Sequence, residues 1–288
     1  MSTDLQTPTT TAEPTTPIGA VAAPVTTPRL TPWRVLRSEW IKLWSVRSTT
    51  TMMLVIVGIL VAFGALAAAM STGDVTAADG PGGPGRFATD PFTLVMTGST
   101  FAVLLVGTLG ALVGAREFSS GMIRTTVAAV PRRLAVLGAK AVTLTVALVP
   151  AVVVGVLGAF WVGMAVLAGG GAETVTLGEA GWAAVGTVGY LLGVGLLGLG
   201  LGFLFRSIAG SISTLVGGLL VLPPIIGALL PDSWSEALKY LPSNAASSFT
   251  SLTVPADMLA VGPAVAVFMA WLVLVVGAAG YALRHRDV

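Results

Sequence analysis

Few side chains in this 288-residue sequence can move a proton, hold a metal or carry a fixed charge. There is one histidine, His285, and no cysteine, so thiolate metal sites, disulfides and cysteine nucleophiles have nothing to be built from. No lysine follows a glycine, which removes the G-x-x-x-x-G-K-[ST] loop that cradles nucleotide phosphates. A Ser–His hydrolase working inside a membrane would need a histidine there, and His285 is the fourth residue from the end. Two charged clusters remain. The first holds Glu39, Lys42 and Arg47; the second holds Glu117, Arg124, Arg132, Arg133 and Lys140, with Gly121 and Pro131 among them. Neither assembles an acid, a base and a nucleophile, which counts against a membrane enzyme.

The rest of the chain explains why charge is so scarce. Hydrophobic residues make up 55% and charged residues 10%, against about 25% charged in an average soluble domain. Such a composition excludes an ordinary soluble enzyme. The formal net charge of +2 is too small to point to nucleic acid.

Residues 1–28 are Thr/Pro-rich without an apolar period and read as a disordered tail. No apolar core follows an N-terminal charge closely, so a signal peptide is not expected. Residues 31–47 read as an amphipathic helix, with Thr31 as N-cap and Pro32 at the first helical position. Trp33, Leu36, Trp40, Leu43 and Trp44 recur at helical spacing, opposite Arg34, Ser38, Lys42 and Ser45. Tryptophans facing basic residues across a helix suit the membrane interface; packing on a soluble partner is the plainer alternative.

Six apolar runs follow, at about 51–70, 94–115, 141–168, 182–205, 210–230 and 263–283, none containing Asp, Glu, Lys, Arg or His. Each has the roughly 20 residues that cross a bilayer core of about 30 Å. Pro223-Pro224 is expected to kink the fifth. With both termini on the cytoplasmic side, 13 of the 15 Lys and Arg residues fall inside, and only Arg86 and Lys239 fall outside. Eight of the 13 acidic residues fall outside. The fold expected is an all-α polytopic membrane protein. It has six transmembrane helices, the N-terminal interfacial helix, and short re-entrant helices in 231–262, where an apolar segment is too broken to span. Residues 29–288 form its one transmembrane domain.

Glycine pairs four apart, Gly110/Gly114, Gly189/Gly193 and Gly198/Gly202, read as close helix packing within the chain. Trp161, Trp182 and Trp234 read as interface anchors. The stretch 116–140 reads as a short cytoplasmic helix broken by Pro131, then a new helix entering the bilayer. Positive-inside anchoring explains Arg132, Arg133 and Lys140. It does not explain Glu117 at the membrane edge, or Gly121 and Arg124 in a surface helix.

That stretch, from Glu117 through Gly121, Met122, Arg124, Pro131 and Arg133 to Lys140, resembles the E-x3-G-[TM]-x-R-x6-P-x-R-x6-K pattern of ABC-2-type transporter permeases. Glu39-Trp40-Ile41-Lys42-Leu43-Trp44-Ser45-Val46-Arg47 is similar to the E-W-x-K-L-x-S-x-R opening of bacterial members, and Leu241-Pro242-Ser243-Asn244-Ala245 also resembles them. The resemblance covers residues 31–288. Met122 stands where the family often has Thr.

The resemblance implies two six-helix permeases paired with two ATPase subunits. It places Glu117, Gly121 and Arg124 in a coupling segment that docks on the ATPase, with Pro131, Arg132, Arg133 and Lys140 at the base of the third span. The interfacial helix, with Trp33, Leu36, Glu39, Trp40, Lys42, Trp44 and Arg47, also touches that partner. The chain is expected to bind no cofactor itself, ATP and Mg²⁺ being held by a separate ATPase. The expected location is the bacterial plasma membrane, both termini cytoplasmic, in a homodimer. The expected activity is export of an amphipathic or hydrophobic drug, natural product or lipid-like molecule. Two other readings stay open. One is a secondary transporter or channel-like permease, disfavoured by charge-free spans. The other is a non-transporting membrane anchor or immunity protein.

Overall fold

A run of apolar residues in hydrocarbon must satisfy its own backbone hydrogen bonds, and the α-helix does this within one segment. The computed structural model follows that rule throughout. It describes residues 31–73, 90–119, 133–229, 235–254 and 258–285, in which every regular element is helical. Six helical segments are long and apolar enough to cross a membrane, and the chain is a multi-pass membrane protein. They are α2 (Arg47–Ser71), α4 (Gly98–Ser119), α5 (Arg133–Gly169), α6 (Leu177–Phe205), the pair α7 (Ile208–Val216) and α8 (Leu222–Leu229), and α11 (Val261–His285). The shorter helices are α1 (Pro32–Ser45), α3 (Pro91–Val95), α9 (Ser235–Leu238) and α10 (Pro242–Thr250).

Helix α1 begins where the Thr31-Pro32 pair predicts. Thr31 is extended, and its carbonyl accepts from the N–H groups of Arg34 and Val35. Asp90 caps α3 by accepting from the Thr93 N–H at 2.7 Å. Thr176 and Glu179 cap α6 reciprocally, a pairing that satisfies two otherwise orphaned N–H groups. In the fifth span the winding changes just before Pro223-Pro224. Residues Gly217–Val221 form a π turn, and the Leu222 N–H donates to the Gly217 carbonyl five residues back. The wider turn gives room where the proline rings would crowd the carbonyls one turn earlier.

The tightest packing is between α4 and α6. A Cβ at Gly110 would collide with the Gly195 carbonyl, and one at Gly198 with the Gly107 carbonyl. Gly114 and Gly202 extend the same seam, so two of the three predicted glycine pairs make this contact. Gly193 lies instead under the Phe268 ring, and Gly189 faces open space. Helix α2 packs on α5, and the two share a core of Ile56, Leu60, Leu144 and Leu148 with α3 and α4. Helix α10 packs between α6 and α11, burying Ala245, Ala246 and Phe249.

Two helices run past the ends of their apolar runs. Helix α5 starts at Arg133, in line with the new helix expected after Pro131, and α4 runs on through Arg116 and Glu117 to Ser119. At 1.5 Å per residue, α5 is about 55 Å long, well beyond the roughly 30 Å hydrocarbon core. Its first turns therefore carry polar residues while staying helical. The six apolar runs hold no Asp, Glu, Lys, Arg or His, but the helices that contain them do at their ends: Glu117 and Lys140 belong to helices long and apolar enough to cross a membrane and are buried.

Candidate functional site

The site lies where α1, the end of α4 and the start of α5 meet. Helix α1 presents Val35, Glu39 and Leu43, four residues apart, as its buried stripe, and it lies along α5. Of the face that spacing predicts, Leu43 is buried against the bundle, Leu36 is half-buried, and Trp33, Trp40 and Trp44 are exposed, Trp33 and Trp40 bordering a groove with Val142 and Val146 of α5. A helix against a membrane protein has two apolar neighbours, lipid and protein, and one periodicity count does not separate them. The continuation of α4 carries Glu117 inward, and Lys140 sits two turns into α5.

Four of the charged residues close into a ring of alternating sign. The Lys140 ammonium donates to Glu39 Oε2 at 2.6 Å and to Glu117 Oε1 at 2.9 Å. The Lys42 ammonium donates to Glu39 Oε1 at 2.8 Å and to the same Glu117 Oε1 at 2.9 Å. The side chains of Lys140, Glu39 and Glu117 are 5%, 4% and 8% exposed, and that of Lys42 is 40% exposed. An unpaired charge so deeply buried would cost several kcal/mol. Here two carboxylates and two ammonium groups cancel. Burial pulls the Lys42 ammonium down, but its hydrogen bonds and attraction to Glu39 and Glu117 outweigh this and hold it above the ordinary lysine value of 10.5.

The ring borders a cavity of about 510 Å³, lined also by Thr49, Arg116 and Ile208. Beside it, Arg206 ends α6 in the left-handed region, at φ 55°. Its guanidinium carbon stands 5.1 Å from the centre of the Phe118 ring, and Phe118 meets Phe203 edge-on. Sequence reading placed Arg206 only as a basic loop residue. A left-handed arginine has no sequence signal of its own, glycine being the usual occupant of such a cap.

The structure thus brings together Glu39 and Lys42 from one predicted motif with Glu117 and Lys140 from the other. Arg47 opens α2 and is exposed, and Arg133 opens α5. Gly121, Arg124, Pro131 and Arg132 lie outside the described residues, as do Trp234 and the tail. The described residues on either side of the 120–132 stretch are both close to the ring: α4 ends two residues after Glu117, and α5 begins about two turns before Lys140. The ring holds no nucleophile. Its chemistry is ion pairing, and its mechanical effect is to lock three helices together.

Compared with protein-family models and with curated proteins, the chain gives no match.

Proposed function

We propose that the chain is the membrane subunit of an ABC-2-type exporter, working as a homodimer with a separate ATPase that holds ATP and Mg²⁺. The observation that carries this reading is the Glu39–Lys140–Glu117–Lys42 ring. A segment pushed by a nucleotide-driven partner moves the spans only if its ends are stiffly joined to them. The ring joins both flanks of 120–132 to α1, the helix that the resemblance also places against the ATPase. On this reading the interfacial helix, the coupling segment, the last turn of α4 and the first turns of α5 move as one body. ATP-driven closure of the partner rocks the bundles and releases an amphipathic or hydrophobic substrate. The basic end faces the cytoplasm by the distribution of Lys and Arg, in a bacterial plasma membrane, and α9 and α10 seal the opposite side as re-entrant helices.

The test is transport in inverted membrane vesicles. Uptake of a fluorescent amphiphile is expected to require ATP and to survive a protonophore. A second reading, a secondary transporter, gains from one observation: the buried carboxylates of Glu39 and Glu117 are groups a proton could occupy. It requires the opposite result, flux without ATP that a protonophore abolishes.

A further inference from the structure

We propose that a groove between α5 and α11 holds one anionic phospholipid of the leaflet at the basic end, its phosphate at Arg284 and one acyl chain along the floor. The groove is a cavity of about 720 Å³ with Leu137, Leu196, Leu272 and Val276 at its base. Its walls are Gly138 and Ala141 on α5 and Val273, Gly277 and Tyr281 on α11. The depth comes from missing side chains: a Cβ added at Gly138 or Gly277 would meet nothing within 4 Å. Those glycines serve no helix contact there, and they leave a slot open to the membrane.

Polarity in the slot is confined to one end. Among the described lining residues, Arg284 and His285 are the basic ones, both are exposed, and none is a carboxylate. His285 is held in place by stacking on Tyr281, with Nδ1 3.0 Å from the Tyr281 carbonyl oxygen. Helix α5 begins and α11 ends at this end, so their dipoles oppose one another there and the positive charge comes from the side chains. At 1.5 Å per residue, the stretch from Met269 to Arg284 rises about 22 Å. That is a half-bilayer of hydrocarbon, about 15 Å, plus the headgroup layer. A basic end on an apolar slot between spans fits an anionic headgroup with its chain. A second copy of this chain, by contrast, would bring its own Arg284 toward the same end.

The experiment is native mass spectrometry of the full-length purified protein. It is given phosphatidylglycerol or phosphatidylcholine with identical acyl chains. The wild-type protein is expected to retain one phosphatidylglycerol, with roughly fivefold preference over phosphatidylcholine. Arg284→Gln is expected to abolish the preference while leaving some binding of both. Gly277→Leu, which fills the slot, is expected to abolish binding of both, and Gly138→Leu on the facing wall provides the same check should Gly277→Leu fold poorly. Equal retention of the two lipids by the wild type, or unchanged phosphatidylglycerol retention in Arg284→Gln, overturns the proposal. So does a dimer that dissociates in Gly277→Leu with no lipid held by the wild type, since the groove would then be a contact between copies.

Discussion

Lys140 and Glu39 are 101 residues apart in sequence, yet the ammonium and carboxylate stand 2.6 Å from each other, both buried. No other described contact ties α1 so firmly to the bundle. Replacing Lys140 with Met leaves Glu39 with only the half-exposed Lys42, and should cost about 3–5 kcal/mol. Adding Glu39→Gln to Lys140→Met should restore part of that loss, since the orphaned charge is then gone. Thermal unfolding of the detergent-solubilised single and double variants measures both; strict additivity of the two losses would show that the pair is not coupled.

Lys42 gives the ring a pH limit. Its folded pKa is raised above the ordinary 10.5 by Glu39 and Glu117 working against burial. A raised lysine stabilises fully below its unfolded pKa and loses that contribution as pH rises through the folded value. The thermal midpoint should therefore hold steady to about pH 10 and fall above it. Lys42→Met should lack the part of the fall that belongs to this group. Parallel melting curves across that alkaline range would decide it, and an identical fall in the variant would remove Lys42 from the account.

The seam between α4 and α6 should tolerate no side chain at its closest points. Gly198→Ala drives a methyl into the Gly107 carbonyl and should destabilise by about 1–3 kcal/mol or more. Gly189→Ala meets nothing within 4 Å and should be neutral or slightly stabilising, by up to about 1 kcal/mol. Comparing the melting temperatures of these two variants separates packing from helix propensity, because both glycines lie in one helix.

Arg206 allows a similar separation of backbone from side chain. Arg206→Gly and Arg206→Ala both lose the approach to Phe118, but only Gly relaxes at φ 55°. The glycine variant should be more stable than the alanine variant by about 1 kcal/mol. Equal stabilities would mean that the left-handed cap carries no strain.

These residues show what a sequence can and cannot carry. The six spans were legible because an apolar run of bilayer length has few other uses, and Thr31-Pro32 marked a helix start by local chemistry alone. Span ends were less legible: Arg116, Glu117 and Lys140 fall outside the uncharged runs, yet the membrane-crossing helices continue through them, with Glu117 and Lys140 paired. That pairing depends on which helices lie side by side, a property of topology rather than of any window of sequence. On α1 the residue that spacing grouped with the tryptophans but that packs on the bundle is Leu43, because lipid and protein are both apolar neighbours. The motifs did identify all four members of the ring, but as two separate sets.

On the proposed function, the segment between Glu117 and Lys140 docks a nucleotide-hydrolysing partner. The most direct measurement of that docking is ATP hydrolysis by the affinity-purified full chain from its native membrane, wild type beside Arg124→Ala. The account predicts an ATPase subunit bearing its own phosphate loop in the wild-type preparation, with its hydrolysis falling at least about tenfold in Arg124→Ala while the variant melts at the wild-type temperature. A folded wild-type chain that carries no ATPase, or an Arg124→Ala preparation with undiminished hydrolysis, would contradict it.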